Sequence, residues 1–294
     1  MALRLGTGRG GLPAALAASA AAFVAGRASR RPAAAAAAAG AAGAGREPAP
    51  PPAAEAETPA DKLRGDGARG RGAKREPVVL LACGSFNPPT FQHLRMFELA
   101  RHALEARGYS VVGAYLSPVN DGYGKAGLLP ARHRVAMCRR AVADSDLVMV
   151  DAWEAAQPEW QTTMQVLGHV RAFVNARRKT AREVRVMLLC GADLVETFRT
   201  PGLWADQDMW DLAYKYGIAC VEREGADALR VAEEVAALRD GRGQELRVVS
   251  VREPVANLTS STQLRRALRE GGTVAYLTPR AVAEYIDEHN LYRE

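Results

Sequence analysis

From residue 76 onward the chain alternates between two hydrophobic periods. Apolar runs of strand length occur at 78–82, 111–116, 147–150, 184–189, 218–221 and 246–251, interrupted only by Arg185 in the fourth and by Arg247 and Ser250 in the last. Between them, longer stretches repeat apolar residues every three to four positions, the spacing of one helix face. Leu94, Phe97, Ala100 and Leu104 form the first such stripe and predict a helix over 91–105. Further helices are predicted over 132–142, 159–174, 262–269 and 279–288, the last with Pro279 in its first turn, where no backbone N–H is needed. Strands that are apolar throughout are buried on both faces, and strands alternating with helices form right-handed crossovers. The expected fold is therefore α/β, a doubly wound, mostly parallel Rossmann-like sheet with helices on both faces. Ligands in such sheets bind beyond the carboxyl ends of the strands, so the residues just after each strand are the ones to inspect.

Composition changes the picture only at the start of the chain. Residues 1–75 are dominated by Ala, Gly, Pro and Arg, with an Ala run from Ala33 to Ala39 and prolines at Pro48 to Pro52. Such a stretch has too little bulky apolar surface to offset its ordering entropy. It predicts a disordered extension over 1–75 ahead of a single domain at 76–294. The extension holds 12 Lys/Arg against 5 Asp/Glu, a net of +7, so within the chain's +6 the remainder sums to −1. The basic character belongs to the extension, which argues against a nucleic-acid-binding face on the domain. No acid precedes Glu47, while Arg4, Arg9, Arg27, Arg30 and Arg31 do. Arg-rich and acid-free is the composition of an organelle transit peptide, with a mitochondrion favoured over a plastid; GC-rich coding bias is the alternative, with a cytoplasmic or nuclear location. No apolar run is long enough for a membrane span. Cys83, Cys138, Cys190 and Cys220 show no CxxC pairing and read as reduced core thiols, with no metal site.

The candidate chemistry sits where the fold class places it. The first strand runs into Gly84-Ser85-Phe86-Asn87-Pro88-Pro89-Thr90, with His93 in the next helix. A glycine turn lets the backbone approach a ligand, and a helix start offers unpaired N–H groups to phosphate. Thr90 and His93, three apart, share one side of that helix, where an imidazole can donate to transferring phosphoryl oxygens. Near the other end, Ser260-Ser261-Thr262-Gln263-Leu264-Arg265 combines hydroxyls at a helix start with an arginine one turn in, a second anion site.

The string GSFNPPTFQHLRMFELA resembles the opening motif of the eukaryotic nicotinamide mononucleotide/nicotinic acid mononucleotide adenylyltransferases, and Thr90 with His93 matches the (His/Thr)xxH signature of the wider nucleotidyltransferase superfamily. The 260–265 segment is similar to that family's SSTxxR motif, and the likeness extends over roughly 76–292. Several site assignments are implied by this resemblance. His93 and Arg265 would be catalytic. Gly84, Ser85, Phe86, Thr90, His93, Gly191, Asp193, Asn257, Ser261, Thr262 and Arg265 would bind ATP. Ser85, Phe86, Tyr123, Lys125, Trp153, Leu203, Trp204 and Glu253 would bind the mononucleotide. Lys125 follows from the SPVxDxYxK-like segment, Asp193 from Gly191-Ala192-Asp193, and Trp153 from the family tryptophan that stacks on the nicotinamide ring, a favourable cation–π geometry for a pyridinium. Tyr109, Trp210, Tyr214 and Tyr276 read as packing residues.

The implied reaction is adenylyl transfer from ATP to the mononucleotide, giving NAD or its deamido form and pyrophosphate, with Mg²⁺ bridging the ATP phosphates and no protein metal ligands. Partners would be ATP and a pyridine mononucleotide, without nucleic acid; a homo-oligomer is left open. Another phosphate acceptor, or a non-enzymatic role on the same scaffold, are the rival readings. The short basic stretch Arg177-Arg178-Lys179 stands where nuclear members carry a long insertion, which favours a non-nuclear location.

Overall fold

The computed structural model describes residues 57–65, 75–177, 180, 182–222, 230, 233–234, 245–255 and 257–293. In chain order these form β1 (Glu76–Gly84), α1 (Phe91–Glu105), β2 (Tyr109–Pro118), α2 (Ala131–Ala141), β3 (Val148–Val150), α3 (Trp153–Ala156), α4 (Thr163–Ala176), β4 (Arg185–Gly191), α5 (Ala192–Glu196), α6 (Asp206–Asp211), β5 (Ile218–Glu222), β6 (Val248–Arg252), α7 (Ser261–Arg269) and α8 (Arg280–Glu288). The strands make one sheet ordered β3-β2-β1-β4-β5-β6, each pairing parallel. The order reverses between β1 and β4, which is where a doubly wound sheet opens its ligand crevice.

Alternation along the strands feeds two cores. Val79 and Leu81 face one side with Val166, Leu167, Val170 and Val174 of α4. Val78 and Leu80 face the other with Phe97, Ala100 and Leu104 of α1 and Val135 and Cys138 of α2. A third cluster joins Met137 of α2 to Leu264 and Leu268 of α7 and Val282 and Ile286 of α8. The four cysteines are free thiols. Helix α1 spans the predicted 91–105. Helix α4 starts later than the pattern predicts because Thr162 and Gln165 form a capping box: Gln165 N donates to Thr162 Oγ1 at 3.3 Å and Thr162 N to Gln165 Oε1 at 2.7 Å. Helices α3, α5 and α6 are too short to show a period and were not predicted. Tyr109 and Trp210 pack as predicted and Tyr214 is buried, but Tyr276 does not pack: it is 93% exposed, in a turn with φ of +63°.

Residues 57–65, which composition assigns to the extension, lie against the domain. Leu63 is buried over Gly113, where a Cβ would stand 2.6 Å from Leu63 Cδ2. Arg64 N donates to Val112 O at 2.8 Å, and Lys62 Nζ donates to Val142 O and Val148 O at 3.0 Å each. Pro59 O accepts from the Tyr115 hydroxyl at 2.6 Å. The domain thus begins at or before residue 57; the earlier part of the extension, Arg178 and Lys179 lie outside the described residues.

Two arginines lock the frame. Arg95 of α1 forks onto Glu253 beyond β6, with both N–O distances 2.8 Å. Arg134 of α2 is wholly buried and donates to Leu129 O and Val119 O at 2.7 Å, Ser85 O at 3.3 Å and Asp121 Oδ1 at 2.7 Å. Arg134→Met would strand three carbonyls, so it is expected to lower unfolding free energy by about 3–5 kcal/mol. Chemical denaturation measures this, and a loss under about 1 kcal/mol would remove Arg134 from the frame.

Candidate active site

The turn after β1 is built around a wedge. Phe86 adopts φ of +44°, a conformation that costs an L-residue about 1–3 kcal/mol unless its surroundings impose it. They do: its ring lies over Gly84, where a Cβ would meet Phe86 Cζ at 3.1 Å, and meets the His93 ring edge-on at 5.3 Å between centroids. Phe86 is only 4% exposed. Its side chain therefore supports the turn, and Gly84 makes room for that ring.

His93 is oriented by the helix cap. Thr90 N donates to His93 Nδ1 at 3.0 Å, and the Thr90 hydroxyl lies 2.8 Å from the same nitrogen. A nitrogen accepting a backbone N–H carries no proton in neutral imidazole, so the proton sits on Nε2, which becomes the donor of the ring.

The second motif closes directly on this turn. Ser261 Oγ donates to Pro88 O at 2.7 Å, Arg265 to Asn87 O at 2.7 Å, and Thr278 Oγ1 to Pro89 O at 2.7 Å. Tyr292 Oη donates to Asn87 Oδ1 at 2.6 Å. Ser260 and Gln263 form the cap of α7 reciprocally, and Thr262 is exposed with its hydroxyl 3.4 Å from the Arg265 guanidinium. Ser261 thus spends its hydroxyl proton on the turn. Asn87, followed by two prolines and unassigned by the motif reading, is a second anchor: its Nδ2 donates to Gly127 O at 2.8 Å. Arg134, also unassigned, left one visible signal, a cation on the apolar stripe of its helix.

Electrostatics mark the phosphate end. Burial, then the Arg265 charge, holds the Lys125 ammonium below its ordinary value. Burial likewise lowers Arg265. Two partly buried cations from distant parts of the chain therefore face shared space. Tyr123 precedes Lys125 in a turn tied down by Asn120, whose Oδ1 accepts from Gly122 N at 2.7 Å and whose Nδ2 donates to Gln157 O at 2.6 Å. Gly191 ends β4 with no protein atom within 4 Å of where its Cβ would be, and Asp193 beyond it is exposed. Among the described residues no group of three or more His, Cys, Asp or Glu could hold a metal ion.

The opposite end carries acids. Trp153 follows β3, half-buried, its ring stacked on His169 at 4.1 Å and 6°. Trp204 packs on the same face of the sheet, Nε1 donating to Thr197 Oγ1 at 3.0 Å, with half-buried Leu203 beside it. Beneath them, Glu154 accepts from Ser117 Oγ at 2.9 Å, and burial pushes its carboxyl up to about 8. Burial also raises Asp151 and, together with the charges of Glu154 and Asp151, the Cys83 thiol.

The residues assigned by resemblance are spread across the whole width of the sheet. Glu253 lies beyond β6 and Trp153 beyond β3, at opposite edges of the sheet. Five strand spacings of about 4.8 Å separate them, roughly 24 Å. Glu253 is engaged by Arg95 and accepts from Val255 N at 3.0 Å, which ties the segment after β6 to α1. Asn257 is half-buried and accepts from Thr259 N at 2.9 Å, shaping the approach to α7.

The cytidylyltransferase-like family profile matches residues 81–267. A nicotinamide/nicotinic acid mononucleotide adenylyltransferase of Arabidopsis thaliana is 46% identical over 218 residues, covering 74% of this chain and 90% of the relative. Its counterpart in Oryza sativa subsp. japonica is 44% identical over 241 residues, covering 82% and 95%. The solved Plasmodium falciparum nicotinic acid mononucleotide adenylyltransferase complexed with NaAD shares the fold, with a TM-score of 0.53 at 15% identity over 74% of this chain and 98% of that one.

The buried acid gives the site a pH signature. Glu154 titrates near 8 in the fold but near its ordinary value, about 4.3, when unfolded. Across that window the unfolded chain releases a proton that the native state keeps, so stability is full below it and falls as pH rises. Glu154→Gln preserves shape and an acceptor for Ser117, so its Tm should fall less than the parent's between about pH 5 and pH 8. Parallel melting curves for the two proteins would show that Glu154 does not titrate there.

Proposed function

The chain belongs to the nicotinamide/nicotinic acid mononucleotide adenylyltransferases, within the cytidylyltransferase-like family, and from that membership we propose how its site performs the reaction. The protein transfers the adenylyl group of ATP to nicotinamide mononucleotide or nicotinic acid mononucleotide, forming NAD or deamido-NAD and pyrophosphate in NAD biosynthesis. The 5′-phosphate oxygen of the mononucleotide attacks the α-phosphorus as the bond to the pyrophosphate oxygen breaks. That oxygen is already anionic at neutral pH, so no general base is required. Catalysis is positioning and stabilisation of charge on the transferring group.

The observation that carries this reading is the fixed tautomer of His93, set by Thr90 beside the turn that Arg265 closes. His93 Nε2–H donates to the transferring phosphoryl oxygens. Arg265 and Lys125 neutralise the triphosphate and the departing pyrophosphate, with the start of α7 adding its dipole. Gly191 and Asp193 meet the nucleoside, the open space before Gly191 admitting it. ATP enters as its divalent-cation complex, the metal being held by phosphate oxygens and water. Trp153 stacks on the pyridinium, and Leu203 and Trp204 wall the same pocket. Residues 1–45, Arg-rich and free of Asp and Glu, direct the chain to an organelle, a mitochondrion over a plastid; a reporter fused to residues 1–56 that stays diffuse in the cytosol overturns this.

Pyrophosphate release in the presence of each mononucleotide, pantetheine phosphate or no acceptor tests the reaction, with turnover expected for the two pyridine mononucleotides. His93→Ala is expected to lower kcat by about a hundred- to a thousandfold, the worth of one preorganised donor at about 2.7–4 kcal/mol, while both KM values stay within about threefold. Near-parental kcat in that variant would remove His93 from the chemistry.

A further inference from the structure

Residues 57–65 do more than cover the sheet. The Thr58 hydroxyl, itself buried, donates to Asp151 Oδ1 at 2.7 Å and lies 2.8 Å from His169 Nε2. A hydroxyl has one proton, so with that proton on Asp151 the imidazole is the donor to Thr58. Burial lowers the His169 pKa, which suits a neutral ring protonated on Nε2. Both partners of Thr58 then lead to Trp153. Asp151 Oδ1 accepts from Trp153 N at 3.1 Å, fixing the backbone, and the His169 ring lies flat against the indole at 4.1 Å, fixing the plane. Asp151 is wholly buried, and its Oδ2 has no hydrogen-bond partner among the described residues. Its Oδ1 is therefore the atom through which the carboxyl is held. One hydroxyl from a segment that precedes β1 thus joins the two supports of a single tryptophan.

We propose that the 57–65 strap is a positioning element of the acceptor subsite, in which Thr58 holds Trp153 at the angle that receives the pyridine ring. The inference rests on the reading of Trp153 as the stacking residue. Thr58 touches no substrate; it acts through Asp151 and His169. The rest of the strap is an anchor for this contact: Leu63 seated over Gly113, Lys62 on two carbonyls and Pro59 on the Tyr115 hydroxyl keep Thr58 in place.

The test uses the full chain carrying Thr58→Val, Thr58→Ser, His169→Gln or Trp153→Ala, with KM for nicotinamide mononucleotide, KM for ATP and kcat measured by pyrophosphate release. Thr58→Val is expected to raise the mononucleotide KM about tenfold by releasing buried hydrogen bonds, with the ATP KM within about twofold, and Thr58→Ser to restore it. His169→Gln, which removes the ring under Trp153 but can still donate to Thr58, should raise the same KM, and it serves where Thr58→Val yields too little folded protein. A mononucleotide KM that stays at the parental value in Thr58→Val or His169→Gln, while Trp153→Ala raises it, overturns the strap's role. Equal rises for both substrates overturn it too, because a general loosening would produce them. A parental KM in Trp153→Ala instead overturns the stacking reading beneath it.

Discussion

The site depends on one buried guanidinium. Arg134 has no exposed surface, and its donors reach carbonyls after β1 and after β2 and the carbonyl just before its own helix. Parallel strands end with their loops unpaired, and each loop needs a partner for its carbonyls before it can hold a defined shape. Arg134 supplies that partner for the two loops that flank the crevice. The turn bearing His93 and the turn bearing Lys125 are thereby fixed to each other, and the phosphate end becomes a rigid cradle. The C-terminal segment then closes on the first of these turns through Ser261, Arg265, Thr278 and Tyr292.

Charge within the cradle is segregated in a way that matches the two substrates. Lys125 and Arg265, each with its pKa lowered by burial, stand where the triphosphate is placed. Asp151 and Glu154, both raised by burial, lie under Trp153 where the pyridinium is placed. Burying either group costs free energy in the empty protein. For the two cations that cost is partly returned when an anionic ligand arrives, whereas Glu154 avoids it by keeping its proton up to about pH 8.

Much of this was legible in the sequence, and the exceptions have physical causes. Long periodic elements such as α1 could be read because an apolar stripe needs three or four turns to show. The strand-terminal glycines and the 260–265 helix start could be read because turns and caps have residue requirements. A motif identifies a residue but not which way its side chain points: Phe86 turns inward as a wedge, and Glu253 pairs with Arg95. Tyr276 was assigned to packing by default, and its backbone conformation turns it out to solvent. The strap was lost in a compositional average, since nine residues with one buried leucine cannot lift a window dominated by Ala, Gly and Pro. Arg134 was the subtlest, a charge on an apolar face whose partners, apart from Asp121, are backbone carbonyls that leave no trace in sequence.

The clamp between Asn87 and Tyr292 spans 205 residues. Until the C-terminal segment has been made, the loop after β1 lacks its bonds to Ser261, Arg265, Thr278 and Tyr292, although every residue it contributes has long been synthesised. On the ribosome the two ends of this domain are separated in time as well as in sequence, and a translating chain carries His93 well before it has a working pocket around it. Closing so long a loop carries an entropic cost that is met late, when α7 and the residues around α8 dock on the turn. A chain that stops short of Tyr292 lacks the hydroxyl that donates to Asn87 Oδ1, so its first turn is held by fewer bonds.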